Sequence, residues 1–156
     1  DDYGAGIAPN VITAIEASIA PEYQGRGVSR IVLETMRDIA HARGFTSLVA
    51  PVRPSWKSRY PLTPIERYVT WAHDASGAPF DPWLRTHWRL GARIEKVAPR
   101  SMLIPGTVTD WEKWAGLRFP ESGNYIVPGA LTPVCIDLET NEGVYVEPNI
   151  WMRHAI

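Results

Sequence analysis

The chain has 156 residues, the length of one domain with a real core; 45% are hydrophobic and 21% charged. A formal net charge of -1 gives no electrostatic reason to expect nucleic acid or an anionic membrane as partner. The single cysteine, Cys135, excludes an internal disulfide and most metal frameworks, so no metal site is expected. No apolar run approaches the roughly 20 residues needed to span a bilayer and no signal-peptide pattern is seen, so the expected location is cytoplasmic.

Asp1–Asn10 is small, polar and glycine-containing, and reads as a flexible N-terminus; residues 11–156 read as the folded unit. Val11–Ala20 alternates like a strand, with Glu16 and Ser18 on one face and Ile15, Ala17 and Ile19 on the other. Pro21 ends it. A helix follows, with Ser29 as N-cap, an apolar stripe of Val28, Val32, Met36, Ile39 and Ala40, and Gly44 at the C′ position. Phe45–Ala50 is a second strand, stopped by Pro51. Strand–helix–strand with a tight glycine turn is a βαβ unit, which carries a parallel strand pair.

The second half holds most of the 14 prolines, so short strands and fixed turns are expected there. Val52–Pro64 reads as a loop and Ile65–Ala72 as a short helix. Asp81–Leu90 is another helix, with Asp81 as N-cap, Pro82 at N1 and Gly91 just past its end. Ala92–Val97 and Ser101–Ile104 are predicted strands. Thr109–Ala115 is a helix opened by a Thr109/Glu112 capping box and closed by Gly116. Tyr125–Val127, Val134–Leu138, Val144–Val146 and Ile150–Met152 read as short strands. The seven tryptophans serve mainly as core, with some free to line an apolar groove. The fold class is α/β or α+β, in one domain.

Gln24-Gly25-Arg26-Gly27-Val28-Ser29 joins the first strand to the first helix. Two glycines leave the backbone unobstructed and permit positive φ, so several N–H groups can point into one concavity. Those groups also open a helix, whose N-terminus has unpaired donors and partial positive charge. Arg26 adds a charge and Ser29 a hydroxyl. The turn suits a diphosphate. A dinucleotide site needs a third glycine where Arg30 stands and an acid near the end of the next strand, and Thr46–Arg53 has none. A nucleotide P-loop needs a Gly-Lys-Ser/Thr ending, which is also missing.

The segment Ile19-Ala20-Pro21-Glu22-Tyr23-Gln24-Gly25-Arg26-Gly27-Val28-Ser29 resembles the Gcn5-related N-acetyltransferase superfamily, whose signature is Gln/Arg-x-x-Gly-x-Gly/Ala after an apolar-x-Pro strand end. Gln24 and Gly27 match it, and its last small residue has become Val28 or Ser29. The match spans about Val11–Ala50. His87-Trp88-Arg89-Leu90-Gly91-Ala92 is similar, more weakly, to the superfamily's entry to a late strand. The resemblance implies a mixed sheet with flanking helices and an acetyl- or other acyl-coenzyme A in a wedge between strands that splay after Ile19 and near Pro51. Pantetheine would lie along Ser18, Ile19 and Ala20, with the pyrophosphate on Gln24, Gly25, Arg26, Gly27, Val28 and Ser29. It also implies direct attack on the thioester by an amine of a small molecule.

Glu16 is the candidate base; its alternative is a solvated or salt-bridged acid. His87 stands where superfamily members often place an acidic tyrosine, and is the candidate acid; its alternative is a structural histidine. Tyr60, Tyr68 and His73 are reserves, and Glu147, Asn149 and His154 could reach an acceptor. Cys135 reads as a small core residue. The competing function is a non-catalytic acyl-coenzyme A-binding or interaction domain. In the superfamily three strands precede the one matched by Val11–Ala20. The chain is therefore expected to be an N-terminally truncated form of the fold, with another polypeptide or a second copy completing the sheet; the alternative is that the proline-rich second half folds back to cover the gap.

Overall fold

The computed structural model describes Gly4, Gly6 and residues 8–156. Residues 1–3, 5 and 7 lie outside the described residues, and with them much of the expectation for Asp1–Asn10. In chain order the elements are β1 (Val11–Thr13), α1 (Val28–Ala42), β2 (Ser47–Val52), α2 (Ile65–Tyr68), α3 (Pro82–Arg89), β3 (Arg93–Thr107), α4 (Val108–Ala115), β4 (Gly123–Tyr125), β5 (Val134–Asp137) and β6 (Glu142–Ala155). They build a six-stranded mixed sheet in the order β1-β2-β6-β5-β4, with β3 along the other edge of β6.

The predicted βαβ unit is present, with β1 and β2 parallel. α1 ends as its sequence requires: Gly44 adopts φ +78°, and the N–H groups of Gly44 and Phe45 close the helix on the carbonyls of His41 and Ala40 at 2.9 and 3.1 Å. The inward stripe is rotated from the predicted one. Leu33 and Ala40 are buried, whereas Ile39 is exposed.

The first strand is shorter than predicted. Val11–Thr13 pairs with β2, one further bond runs from Ala14 N to Val49 O at 2.8 Å, and Ala14–Ala20 then leaves the sheet. The reason lies in β2. Backbone groups alternate sides along a strand, so Pro51 presents its nitrogen on the side of Val49, toward β1, and has no N–H to donate. The splay therefore begins at Ala14, not after Ile19. Nor does Pro51 stop β2. On its other edge β2 pairs antiparallel with β6 from Ser47↔Ala155 to Val52↔Ile150, which carries it past the proline.

The expectation of only short strands in the second half is corrected by β3 and β6. The two predicted strands at 92–97 and 101–104 are one strand, and so are those at 144–146 and 150–152. Each is interrupted in pattern. β3 bulges between Ala98 and Met102, around Pro99, opposite Glu147–Asn149 of β6. At that point β6 changes the phase of its burial: Gly143, Tyr145 and Glu147 are buried before Pro148, and Ile150, Met152 and His154 after it. As the outer strand, β3 tolerates Pro99 and Pro105 at the sheet's edge.

Two cores result. The first joins Ala50, Val52, Ile150 and Met152 of the sheet to Leu84 of α3 and Tyr68 of α2, with Trp71, Phe80, Trp83 and Trp88 packed around them. The second holds Trp111, Phe119, Val134, Ile136 and Tyr145. There Trp111 lies across Gly143, with its Nε1 donating to the Gly143 carbonyl at 2.8 Å, and a Cβ at position 143 would overlap the indole. The capping box of α4 is Thr107 with Asp110, two residues before the predicted pair. Cys135 lies exposed on the outer face of β5, not in the core. Among the described residues no helix is long and apolar enough to cross a membrane.

Candidate active site

Where the chain leaves β1 it is gathered into a turn. Pro21–Tyr23 forms one 3-10 turn, with Tyr23 N–H on the Ala20 carbonyl at 2.9 Å. Gln24 Nε2 reaches back to the Ile19 carbonyl at 3.0 Å and ties the turn to the segment before it. Gly25 and Gly27 adopt φ of +73° and +77°, a region that suits glycine. Gly27, not Ser29, is the N-cap of α1, and no side chain among the described residues caps the first turn. The first N–H of α1 to bond back is that of Arg30, to Gly27 O at 3.0 Å. The donors ahead of it are left to a ligand. Apart from the residues adjoining them in the chain, no described residue comes within 4 Å of where a Cβ on Gly25 or Gly27 would stand. The backbone thus offers an open cradle with the partial positive charge of a 15-residue helix behind it. Arg26 holds its guanidinium 5.8 Å over the Tyr23 ring, beside the cradle. A pyrophosphate fits this donor set.

Two cavities lie along this part of the chain. The larger, about 570 Å³, is lined by Ala17, Ile19, Gln24, Gly25, Val28 and Ser29 on one side and by Ser55, Pro82, Trp83 and Thr86 on the other. The smaller, about 260 Å³, lies between the splayed strands, with Ala14–Ser18 facing Ala50–Arg53, and Leu33, Met36, Trp83 and His87 also lining it. Ala17 and Trp83 line both, so the cavity at the glycine turn and the one at the fork of β1 and β2 adjoin.

The wall contributed by α3 is fixed by Asp81, which is 1% exposed. Its carboxylate accepts from the N–H groups of Trp83 and Leu84 as N-cap, from Ser55 N–H and Oγ, from Trp56 N–H at 2.7 Å and from Tyr68 Oη at 2.8 Å. Burial and this bond push the Tyr68 hydroxyl far above the ordinary phenol range, so it stays a donor.

The sequence-predicted residues are brought to these cavities, with changed surroundings. Ser18 Oγ donates to Glu16 at 2.7 Å, so the two do share a side, and both line the smaller cavity. Glu16 is exposed, not buried on a central strand, because its segment has left the sheet. Ala20, Arg26 and Gly27 are exposed beside the larger cavity. His87 lies in the wall of the smaller cavity and is 2% exposed. Its Nδ1 is 3.0 Å from Nε2 of His154, which β6 supplies and which is 1% exposed. Burial, with His154 beside it, lowers the His87 pKa to about 3; burial and the Arg37 charge lower that of His154 against a smaller opposing pull from the Leu90 carbonyl. A ring so held is neutral at pH 7 and has no imidazolium proton to give.

Sequence reasoning missed Ser55, Pro82, Trp83 and Thr86. The signal was present in part: Asp81-Pro82 opens a helix, and Trp83 and His87, four residues apart, share a face of it. It also missed Arg53, at the mouth of the fork, where Glu147 (3.0 Å) and the Gly129 carbonyl (2.8 Å) hold the guanidinium.

No family model matches the chain. Over 175 aligned positions it is 35% identical to arginine N-acetyltransferase avaD of Aspergillus versicolor, an alignment that takes in all of this chain and 60% of that protein. The chain thus spans about 60% of the length of that curated relative. Among solved structures, the loading GNATL domain of CurA from Lyngbya majuscula matches 94% of this chain and 55% of its own, with a TM-score of 0.57 and 22% identity. The chain is thus similar along its whole length to an N-acetyltransferase and shares the fold of a GNAT-like loading domain.

Proposed function

We propose that the protein is an acyl-coenzyme A-dependent N-acyltransferase that acylates an amine of a small molecule by direct attack. The observation that carries this reading is the open N–H cradle at Gly25–Ser29, whose cavity adjoins the one at the fork of β1 and β2. In this reading Gln24–Ser29 hold the pyrophosphate and Ser18–Ala20 lie along the pantetheine, which brings the thioester to the fork. The acyl-coenzyme A supplies the activated acyl group. Glu16 takes the proton of the incoming ammonium, and Arg53 gives the mouth of the fork a fixed cation. A carboxylate and a guanidinium at one mouth suit an acceptor that carries both charges, and the relative acting on arginine makes arginine the first to try. A cytoplasmic location, where acyl-coenzyme A is made, belongs to the same proposal. So does a further stretch of polypeptide, from a second chain or a second copy, on the outer edge of β1: among the described residues β1 pairs only with β2, and Ile31 on α1 is 61% exposed.

The test is turnover with acetyl-coenzyme A and a panel of amines that includes arginine, read as free thiol. Acceptor-dependent thiol release is expected. Binding of acetyl-coenzyme A with no release for any amine would favour a non-catalytic binding domain. Gly27→Val is expected to weaken acetyl-coenzyme A binding by 100-fold or more, on the order of 3 kcal/mol, because a branched side chain strains a positive φ and fills the cradle. Calorimetry measures it, and circular dichroism checks that the variant is folded.

A further inference from the structure

Resting on that acyltransferase reading, we infer that Arg53 is the specificity-determining residue of the acceptor site. It binds the carboxylate of an amino-acid acceptor, on a guanidinium that Tyr145 and Glu147 hold in position. The inference starts from the two charged side chains that line the smaller cavity, Glu16 and Arg53. Neither lines the larger cavity beside the glycine turn, so the anion that Arg53 meets is not the pyrophosphate. The thioester end of an acyl-coenzyme A with a plain acyl group carries no charge. An anion in the fork therefore arrives with the acceptor. Glu16 and Arg53 do not neutralise each other. Glu16 accepts from Ser18 Oγ, Arg53 pairs with Glu147, and among the described residues no ion pair joins them. One cavity thus offers separate places for an ammonium and a carboxylate.

A guanidinium presents its N–H groups in a planar fork. In Arg53, Nε donates to Glu147 Oε2 at 3.0 Å and Nη2 to the Gly129 carbonyl at 2.8 Å. Nη1 has no partner among the described residues, and the side chain is 46% exposed. N–H groups on both Nη atoms are thus left for a ligand, the pair that meets the two oxygens of a carboxylate in a bidentate contact.

The fork is braced from behind. Tyr145 Oη donates to the same Glu147 oxygen at 2.8 Å and accepts the Leu131 N–H at 2.9 Å. Burial, opposed by that N–H, pushes the Tyr145 hydroxyl up to about 12, so it keeps its proton as the donor. Leu131 is held in turn by Lys57, which is 0% exposed and whose Nζ donates to the Leu131 carbonyl at 2.6 Å and the Tyr60 carbonyl at 2.8 Å. A run of hydrogen bonds therefore leads from a buried lysine to the guanidinium. An arginine free to swing has to be ordered when its ligand arrives, whereas this one is ordered beforehand.

The test uses pairs of acceptors that differ only by the carboxylate: arginine and agmatine, lysine and cadaverine, phenylalanine and phenethylamine. With acetyl-coenzyme A, the wild type is expected to favour the amino acid of each pair that turns over by about 30-fold or more in kcat/KM, expressed in KM. Arg53→Met should bring that ratio to within about threefold of unity, and Arg53→Lys, which keeps the charge and loses the fork, should fall between. Tyr145→Phe removes the brace and not the guanidinium, and should lower the ratio by about 3–10-fold through the KM of the amino acid. A variant that is only less stable scales both members of a pair and leaves the ratio where it was. Calorimetry with arginine and agmatine on protein saturated with coenzyme A makes the same comparison without turnover, and the affinity ratio should collapse in Arg53→Met. Equal acylation or equal binding of both members by the wild type, or a ratio unchanged in Arg53→Met, overturns the inference. So does a preference for succinyl- over acetyl-coenzyme A that Arg53→Met abolishes, which would put the carboxylate on the acyl group. The absence of thiol release with any amine contradicts the acyltransferase reading instead.

Discussion

Between pH 7 and pH 4 the folded protein is expected to lose several kcal/mol of stability, most of it through one side chain. His87 titrates near the ordinary imidazole value of 6.5 when unfolded and at about 3 when folded. In the window between, the unfolded chain binds the proton and the native one does not. Stability is then complete above about pH 6.5 and falls as the pH drops toward 3. A shift of that size, at about 1.4 kcal/mol per unit, is on the order of 4–5 kcal/mol for a ring this deeply buried. His154, lowered for the same reason, acts in the same direction. Urea unfolding at a series of pH values measures the slope. His87→Gln, which carries no titrating ring, should flatten it. A wild-type stability that is level from pH 6.5 to pH 4 would show that the rings are solvated or paired differently.

Asp81→Ala is expected to cost about 3–5 kcal/mol, the range for removing one partner of a buried polar cluster. Six donors converge on that carboxylate, four of them backbone N–H groups. The loss of the N-cap alone accounts for about 1 kcal/mol. The rest comes from the stranded donors at Ser55 and Trp56 and from the Tyr68 hydroxyl. Because Ser55, Pro82 and Trp83 line the larger cavity, acetyl-coenzyme A affinity should fall along with stability. Asp81→Asn keeps one acceptor oxygen and should cost less than half as much. Chemical unfolding of the two variants checks the order, and a loss under about 1 kcal/mol for the alanine would mean that water replaces the carboxylate.

What the sequence revealed was what local chemistry determines. The α1 stretch from Gly27 to Gly44 is bracketed by two glycines with positive φ, and the α3 stretch by Asp81-Pro82 and Gly91; each signal acts within a turn of the helix it delimits. The glycine turn was legible for the same reason, since its donors and its conformation come from six consecutive residues. The long strands were not. Pro99 and Pro148 break the alternation that announces a strand, and only the pairing of β3 with β6, some fifty residues apart, shows that both run on through the break. Pro51 looked like a terminus because its missing N–H is visible in sequence, whereas the β6 partner that carries β2 past it is not. His154 had no local mark at all. Its partner is 67 residues away, and its environment comes from α1 and α3 together.

The measurement that bears most directly on the central claim is an amide NMR titration of the protein with acetyl-coenzyme A. If the glycine turn is the pyrophosphate cradle, the largest shifts fall on the N–H groups of Gly25, Gly27, Val28 and Ser29, saturate together, and extend to Trp83 and the Ala14–Ser18 segment. Binding that leaves those amides unmoved, or no saturable binding, would contradict the assignment.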